Sequence, residues 1–581
     1  MTRVRYGLAL AAVSCICALA PASAFSLDWP LGRYDSACTG FTPETISTPL
    51  TLSWEYNTSR AGKNTSSPIV VGDTVYFCAG DRVMALDAES GKLKWTYPAD
   101  RSLSGTVKAS PAFSEGALFF GATDGSLYAV NAANGVLMWT YPTGGAIRSS
   151  PMVSEGVVYF GSDDNSLYAV RAATGESAWR GPFATKEDIA APPAVSSGYV
   201  VFACSDGLVY MAGASGGGQR WEHRLPMAPS RSGPVVSADV VHIAAGNTLY
   251  AIGRKTGLLR WSQPFKSDIS AGPAIAQRSV SAEAGGNASR SAIFLTTRNN
   301  KLYALTSLGK LMWKDPATLP YNAGVAPTIA GGTVIVGTDR GYICAYSVED
   351  GNLVWQQNVL PAQFKGPGDY TAVSAAPVVA NNRIYVVTDD GSLHCFDYNM
   401  PDDSAPEAFN LAPAKAAAMS GSPPIRISAV VYDLGCGVNP STIELALDGS
   451  TVTHTYDVVN STVSYETSES STPKILPDGR HQLALRAKDW RGNAMNVEWS
   501  FIVDNKLRPP TPPRKPTPAQ KPSRPSSRPA PPPPTYGPGG PGGGSYGESP
   551  PPPPPPPGPM PGGGHGGAPP PPAEVEAPPG T

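Results

Sequence analysis

Eight tryptophans divide the middle of the chain at near-constant intervals: Trp54, Trp95, Trp139, Trp179, Trp221, Trp261, Trp313 and Trp355. The steps between them are 41, 44, 40, 42, 40, 52 and 42 residues. A period of about 40–45 residues with four short strands per unit is what a propeller blade requires, and it excludes an architecture of long helices. The unit is clearest at 150–179, SSPMVSEGVVYFGSDDNSLYAVRAATGESAW. Its apolar runs are short and bounded by Gly, Asp or Asn. They predict strands at 152–154, 157–160 and 167–170, and a last strand reaching Trp179.

Two further positions recur with the tryptophans. Glycine stands four residues ahead in seven units: Gly91, Gly135, Gly175, Gly217, Gly257, Gly309 and Gly351. A turn between the last two strands needs positive φ there, which glycine supplies without steric cost. A small residue before proline opens nearly every unit, as in Ser67-Pro68, Ser110-Pro111, Ser150-Pro151, Gly233-Pro234, Gly272-Pro273, Ala326-Pro327 and Ala376-Pro377; unit four has Pro192-Pro193. Small residues suit innermost strands converging on an axis, and proline is tolerated where a strand begins. The last unit, 376–399, has no Trp, whereas the first Trp has no strands before it. Pairing the N-terminal strand 51–56 with the last three strands closes a ring of eight blades over 50–399, and closure leaves only short, protected edges.

The ends of the chain differ in composition. Arg3 and Arg5, the apolar run 7–20 and Ala22-Ser23-Ala24 have the parts of a cleavable export signal, assigned to 1–24, with an N-terminal extension at 25–49. Cys15 leaves lipidation open as an alternative. No later run is apolar enough to span a membrane. Residues 400–422, rich in Pro, Ala and Asp, read as a linker. Alternating strands return at 425–432, 442–448, 481–488 and 497–503, which predicts a small β-sandwich over 423–505. Of 62 prolines, 31 fall in the last 77 residues, so the tail 506–581 is expected to be disordered or polyproline-like. Its first third carries Lys506, Arg508, Arg514, Lys515, Lys521, Arg524 and Arg528 without an acid. Contact with anionic wall polymer or lipid and a solvated linker both fit that stretch.

Lys and Arg together (44) nearly balance Asp and Glu (46), so no nucleic-acid partner is expected. Cys38, Cys78, Cys204, Cys344, Cys395 and Cys436 follow the leader, far apart and without a C-x-x-C. Their pairing is open, and Cys78, Cys204 and Cys344 read as small buried thiols. His223, His242, His394, His454, His481 and His565 are isolated in sequence, and hydrolase, zinc-protease and phosphate-loop motifs are missing. The turn aspartates Asp124, Asp163, Asp206, Asp339 and Asp389 share a face with the insertion 360–372, the favoured candidate for a site on a rim; a second insertion, 277–290, falls in blade six. Turn geometry is the favoured role for those aspartates. Asp433, Asp489 and Asn493 fit turn capping first and calcium second.

The strings DGSLYAVNAANGVLMW (124–139) and RVMALDAESGKLKW (82–95) resemble the repeat of pyrroloquinoline-quinone-type propellers. The compact size is similar to the BamB-like, non-enzymatic branch of that family. The strings DLGCGVNPSTIELALDG and LPDGRHQLALRAKDWRGN resemble bacterial immunoglobulin-like surface modules. In the propeller family the Trp of each blade packs on the neighbouring blade. The resemblance also implies quinone-dependent dehydrogenases as relatives, which hold their cofactor with calcium, cations and, in many members, a disulfide between adjacent cysteines. This chain has no adjacent cysteine pair and no C-x-x-C-H haem site. The expectation is therefore an all-β, exported binding scaffold of the cell envelope. Catalytic, metal and cofactor residues are expected to be none, and its partners to be envelope proteins or wall glycan. A quinone-dependent dehydrogenase, or a degenerate relative, is the alternative. Fold membership alone licenses no activity.

Overall fold

The computed structural model describes residues 28–58, 66–230, 232–278, 290–359, 371–458, 460–468 and 475–508. The leader, most of both insertions and nearly all of the tail lie outside the described residues. Among the described residues every regular element is a strand. Eight antiparallel sheets follow one another: 69–97, 112–142, 152–184, 194–224, 235–264, 274–318, 328–358 and 378–397, the last joined by Thr51–Asn57. The innermost strands of neighbouring sheets touch all the way round, the eighth meeting the first. These sheets are blades one to eight of a closed propeller. Blade eight closes by pairing Thr51–Asn57 with Ser392–Asp397, placing Trp54 opposite Cys395.

The recurring Trp and Gly meet across blade boundaries. All seven glycines have positive φ, between 67° and 77°, and a Cβ on any of them would lie within 3.0 Å of the preceding blade's indole. Gly91 thus supports Trp54, Gly135 supports Trp95, and so on to Gly351 under Trp313. Glycine is required twice over, for the turn and for the ring lying on it. Each of those indoles donates its Nε1–H to a carbonyl of the next blade, as Trp54 does to Ala88 (3.2 Å) and Trp95 to Ala132 (2.9 Å). An aromatic side chain on the second strand often meets the same indole: Tyr76 with Trp95, Phe119 with Trp139, Tyr159 with Trp179, Phe294 with Trp313. In blade five that slot holds His242 against Trp261.

Of the extension expected at 25–49, residues 29–42 form a segment that runs along the axis. Trp29 bridges to Val70 and Leu31 to Ala112. The carbonyls of Ser36, Ala37, Thr39 and Gly40 then accept from the inner-strand amides of Val195, Val236, Ile275 and Ile329. Phe41–Thr42 continues as a parallel partner of Thr328–Ala330. One strip of backbone therefore satisfies inner-edge amides of blades one, two, four, five, six and seven, which would otherwise face the channel unpaired.

Residues 407–503 form two sheets sharing one core, with Ile427, Val431 and Val463 from one facing Leu445, Leu485 and Phe501 from the other. The linker expected at 400–422 is corrected here. Glu407–Ala412 pairs with Arg426–Tyr432, and Ala418–Met419 with the strand Ala494–Val503. Composition hid the first of these strands. Prolines flank it, and a register shift at Asn410, which has positive φ, breaks the apolar alternation. The sandwich also completes the joint between blades seven and eight. Blade eight takes its outer strand from the N-terminus and so has no Gly turn to receive Trp355. That indole is fully buried and donates instead to the Cys436 carbonyl (3.0 Å), while the Gln357 amide donates to Gly435 (3.0 Å).

Candidate functional site

Where the blades open, Ser67, Ser110, Ser150, Ala326 and Ala376, each the small residue before a proline, help line an axial pocket of about 460 Å³. Its floor is the axial segment, through Gly32 and Arg33. Gly32 is needed there because a Cβ would lie 2.6 Å from that of Ser110. Around the wall, the Ser67 amide donates to the Ser110 hydroxyl (2.8 Å), and the Ser110 amide to that of Ser150 (2.9 Å). Hydroxyls thus pass the backbone pairing from blade to blade where strands have yet to begin.

Three cations give the pocket its sign. Arg33 is buried and donates from Nη2 to the Pro273 carbonyl (2.7 Å), but its Nε and Nη1 have no hydrogen-bond partner. Burial lowers its pKa, since a desolvated guanidinium is costly. Lys108 and Arg148 line the pocket from blades two and three, and Arg148 is ion-paired with Asp163. Asp35 lies near Arg33; burial raises its pKa, opposed by hydrogen bonds from the Thr39 amide and hydroxyl. The arrangement suits a small anion, held by charge and oriented by hydroxyls. It does not suit a quinone held with calcium, because no described lining residue is a carboxylate and calcium takes oxygen ligands, usually carboxylates among them.

The tryptophans and glycines singled out by the sequence lie at blade joints and not around this pocket. Residues 360–370 of the rim insertion 360–372 lie outside the described residues. Turn geometry accounts for Asp124 and Asp206, which accept the amides of Ser126 and Leu208, and for Asp389, which accepts that of Ala372. Isolated in sequence, His481 gains two partners in the fold. Its Nδ1 lies 2.6 Å from an Asp448 oxygen and its Nε2 lies 2.8 Å from the Pro477 carbonyl, because adjacent strands bring residues 33 apart together. All six described cysteines are free and buried. Sequence reading missed Lys108 and Arg148, although a signal existed: each stands two residues before the serine of a Ser-Pro opening. The structure puts that same repeat position, as Lys108, Arg148, Ala190, Gly324 and Ser374, around the pocket.

A closed ring of four-stranded sheets, jointed by Trp on Gly and opened by small-Pro pairs, defines a β-propeller of the pyrroloquinoline-quinone type. Residues 79–233 and 205–405 match the family described as outer membrane protein assembly factor BamB. The match spans more than half of the 581 residues, and the chain belongs to this PQQ-like repeat family. It is 29% identical over 156 residues to the outer membrane protein assembly factor BamB of Moranella endobia, covering 26% of this chain and 36% of that one. It is 33% identical over 144 residues to the 1-butanol dehydrogenase (cytochrome c) of Thauera butanivorans, covering 22% and 21%. The chain thus spans well under half the length of either curated relative. A quinohemoprotein alcohol dehydrogenase from Pseudomonas putida superposes with a TM-score of 0.51 at 15% identity, over 67% of this chain and 84% of that one.

Proposed function

We propose that the chain is an exported, non-enzymatic scaffold of the cell envelope, with a propeller that holds protein or wall-glycan partners. The observation that carries the reading is a set of exposed aliphatic corners on outer blade edges: Val136, Leu137 and Met138 in blade two, Leu258 and Leu259 in blade five, Leu308 and Leu311 in blade six. In this reading each short exposed apolar run is a separate contact point for a protein partner. The BamB relatives, named for outer-membrane assembly, support a protein partner. Cleavage after Ala24 would leave the axial segment intact in the exported chain. In this reading the sandwich is an immunoglobulin-like spacer, and the basic start of the tail contacts anionic wall polymer or lipid.

The second reading is a quinone-dependent dehydrogenase or a degenerate relative. The dehydrogenase relatives favour it, although the described lining of the axial pocket lacks the carboxylates a calcium-held quinone would use. One pair of experiments separates the two. Tagged protein should retain a partner from envelope extracts, and Leu137→Thr with Met138→Thr should lose it. Dye-linked alcohol oxidation appearing on addition of pyrroloquinoline quinone and calcium, with no partner retained, would overturn the scaffold in favour of the enzyme.

A further inference from the structure

Three aspartates gather where the propeller meets the sandwich. Asp402 lies on the connector after the last propeller strand. Asp433 opens the turn Asp433-Leu434-Gly435-Cys436-Gly437, and Asp489 ends a sandwich strand. Their exposures are 8%, 8% and 2%. Among the described residues, no ion pair reaches any of them. Asp489 is engaged as a turn cap, accepting from the Asn493 amide (2.8 Å) and side chain (2.6 Å). Asp402 and Asp433 converge instead on Cys436. One carboxylate oxygen of each and the Cys436 sulfur all lie within 4.8 Å of one another.

The three donors are held in place from behind. Asp402 accepts from the Ser404 amide and hydroxyl at one oxygen and from the Cys436 amide (2.6 Å) at the other. Asp433 Oδ1 accepts from the amides of Gly435 (2.7 Å) and Gly437 (3.0 Å). Its Oδ2 is buried and has no partner at all. Gly435 lets the turn lie directly against the Asp402 carboxylate, where any Cβ would collide with it. A buried carboxylate oxygen without a donor, beside a second carboxylate and a thiol, is the kind of unsatisfied group that an ion completes.

We propose that Asp402, Asp433 and Cys436 form a zinc site that fastens the sandwich to the propeller. The number and kind of donors select the metal. Two carboxylate oxygens and one sulfur make three protein ligands, which leaves the fourth position of a tetrahedral zinc open to a water. Calcium takes six to eight oxygens and gains nothing from sulfur. Binding exchanges the Cys436 thiol proton for a zinc–sulfur bond, so one proton is released for each ion taken up at that residue. The ion would hold the turn whose carbonyls, Gly435 and Cys436, receive Gln357 and Trp355 of blade seven.

The test uses the full chain, stripped by a chelator and then offered zinc, cobalt(II) or calcium separately. Expected are one equivalent of zinc bound with proton release, and a thiolate-to-cobalt absorption band in the near ultraviolet. Cys436→Ser should abolish the band, Asp433→Asn should weaken zinc binding by about tenfold or more, and Cys204→Ser, a buried cysteine elsewhere, should change neither. Circular dichroism of each variant separates lost binding from lost folding. Failure to take up zinc, a cobalt band that survives Cys436→Ser, or binding of calcium alone would overturn the proposal.

Discussion

Seven of the eight blade joints are alike, and the one between blades seven and eight is not. At the seven, an indole lies on a left-handed glycine and donates to a carbonyl that the next blade supplies from its own sequence. At the eighth, Trp355 packs edge-on against Phe396, with ring centroids 6.0 Å apart, and donates out of the propeller to Cys436. The difference follows from closure. A ring sealed with an N-terminal strand has one blade whose third and fourth strands are not consecutive in sequence, so the turn that would receive Trp355 does not exist. A buried indole N–H still needs an acceptor, and the second domain provides it. A repeat can propagate a joint only as far as its own covalent continuity reaches.

The largest effect should come from removing the strand that makes the eighth joint unusual. A chain starting at Ser59 lacks the axial segment, Thr51–Asn57 and Trp54. Truncating a fully buried indole costs about 3–5 kcal/mol. Half-buried Trp54 contributes less than that, and the lost strand pairing and axial segment add to it, against a typical total of about 5–15 kcal/mol. Such a chain is expected to aggregate, whereas one ending at Asn505 should melt like the parent. Equal melts for the Ser59 chain and the parent would break the closure argument.

A glycine pair sharpens the account of the seven regular joints. Gly175 and Gly156 have nearly the same φ, 75° and 72°, but a Cβ on Gly175 would be 2.7 Å from Trp139 while one on Gly156 would meet nothing within 4 Å. Gly156→Ala should therefore cost only the left-handed strain, about 1–2 kcal/mol. Gly175→Ala should cost about 1–3 kcal/mol more, because the indole must move. Chemical denaturation of the two variants measures the difference, and equal losses would mean that the joint is a turn and nothing else.

Blade five offers a smaller test of the aromatic slot. Burial first, and the Arg260 charge second, push His242 down to about 3. The unfolded chain takes up a proton near pH 6.5 that the folded chain refuses, so stability falls as pH drops below that value. By pH 5 the loss from this group is about 2 kcal/mol. His242→Phe, which puts into blade five the residue type found at Phe119 and Phe294, should remove that share of the acid slope. It should leave the share of His394, which burial also pushes down, to about 4. An unchanged slope between pH 7 and pH 5 would show that His242 is not its source.

These parts of the molecule were unequally legible in the sequence. The regular joints announce themselves because Trp and Gly repeat in register. The axial segment leaves no such trace, since it gives only one or two residues to each blade; Trp29, Leu31 and Cys38 have no common spacing. The pocket cations were visible only after aligning units on their Ser-Pro openings. The strand Glu407–Ala412 was lost among prolines. The eighth joint could not be read at all, because nothing in the sequence around Trp355 says that its acceptor lies 81 residues away.

The central claim is that the sandwich completes the ring. Hydrogen exchange of the eight ring indole N–H groups, followed by nuclear magnetic resonance in the full chain and in a chain ending at Asn399, tests it most directly. The account predicts slow exchange at all eight in the full chain. In the shortened chain, either Trp355 alone loses protection or the whole ring does. Eight equally protected indoles in both chains would contradict it.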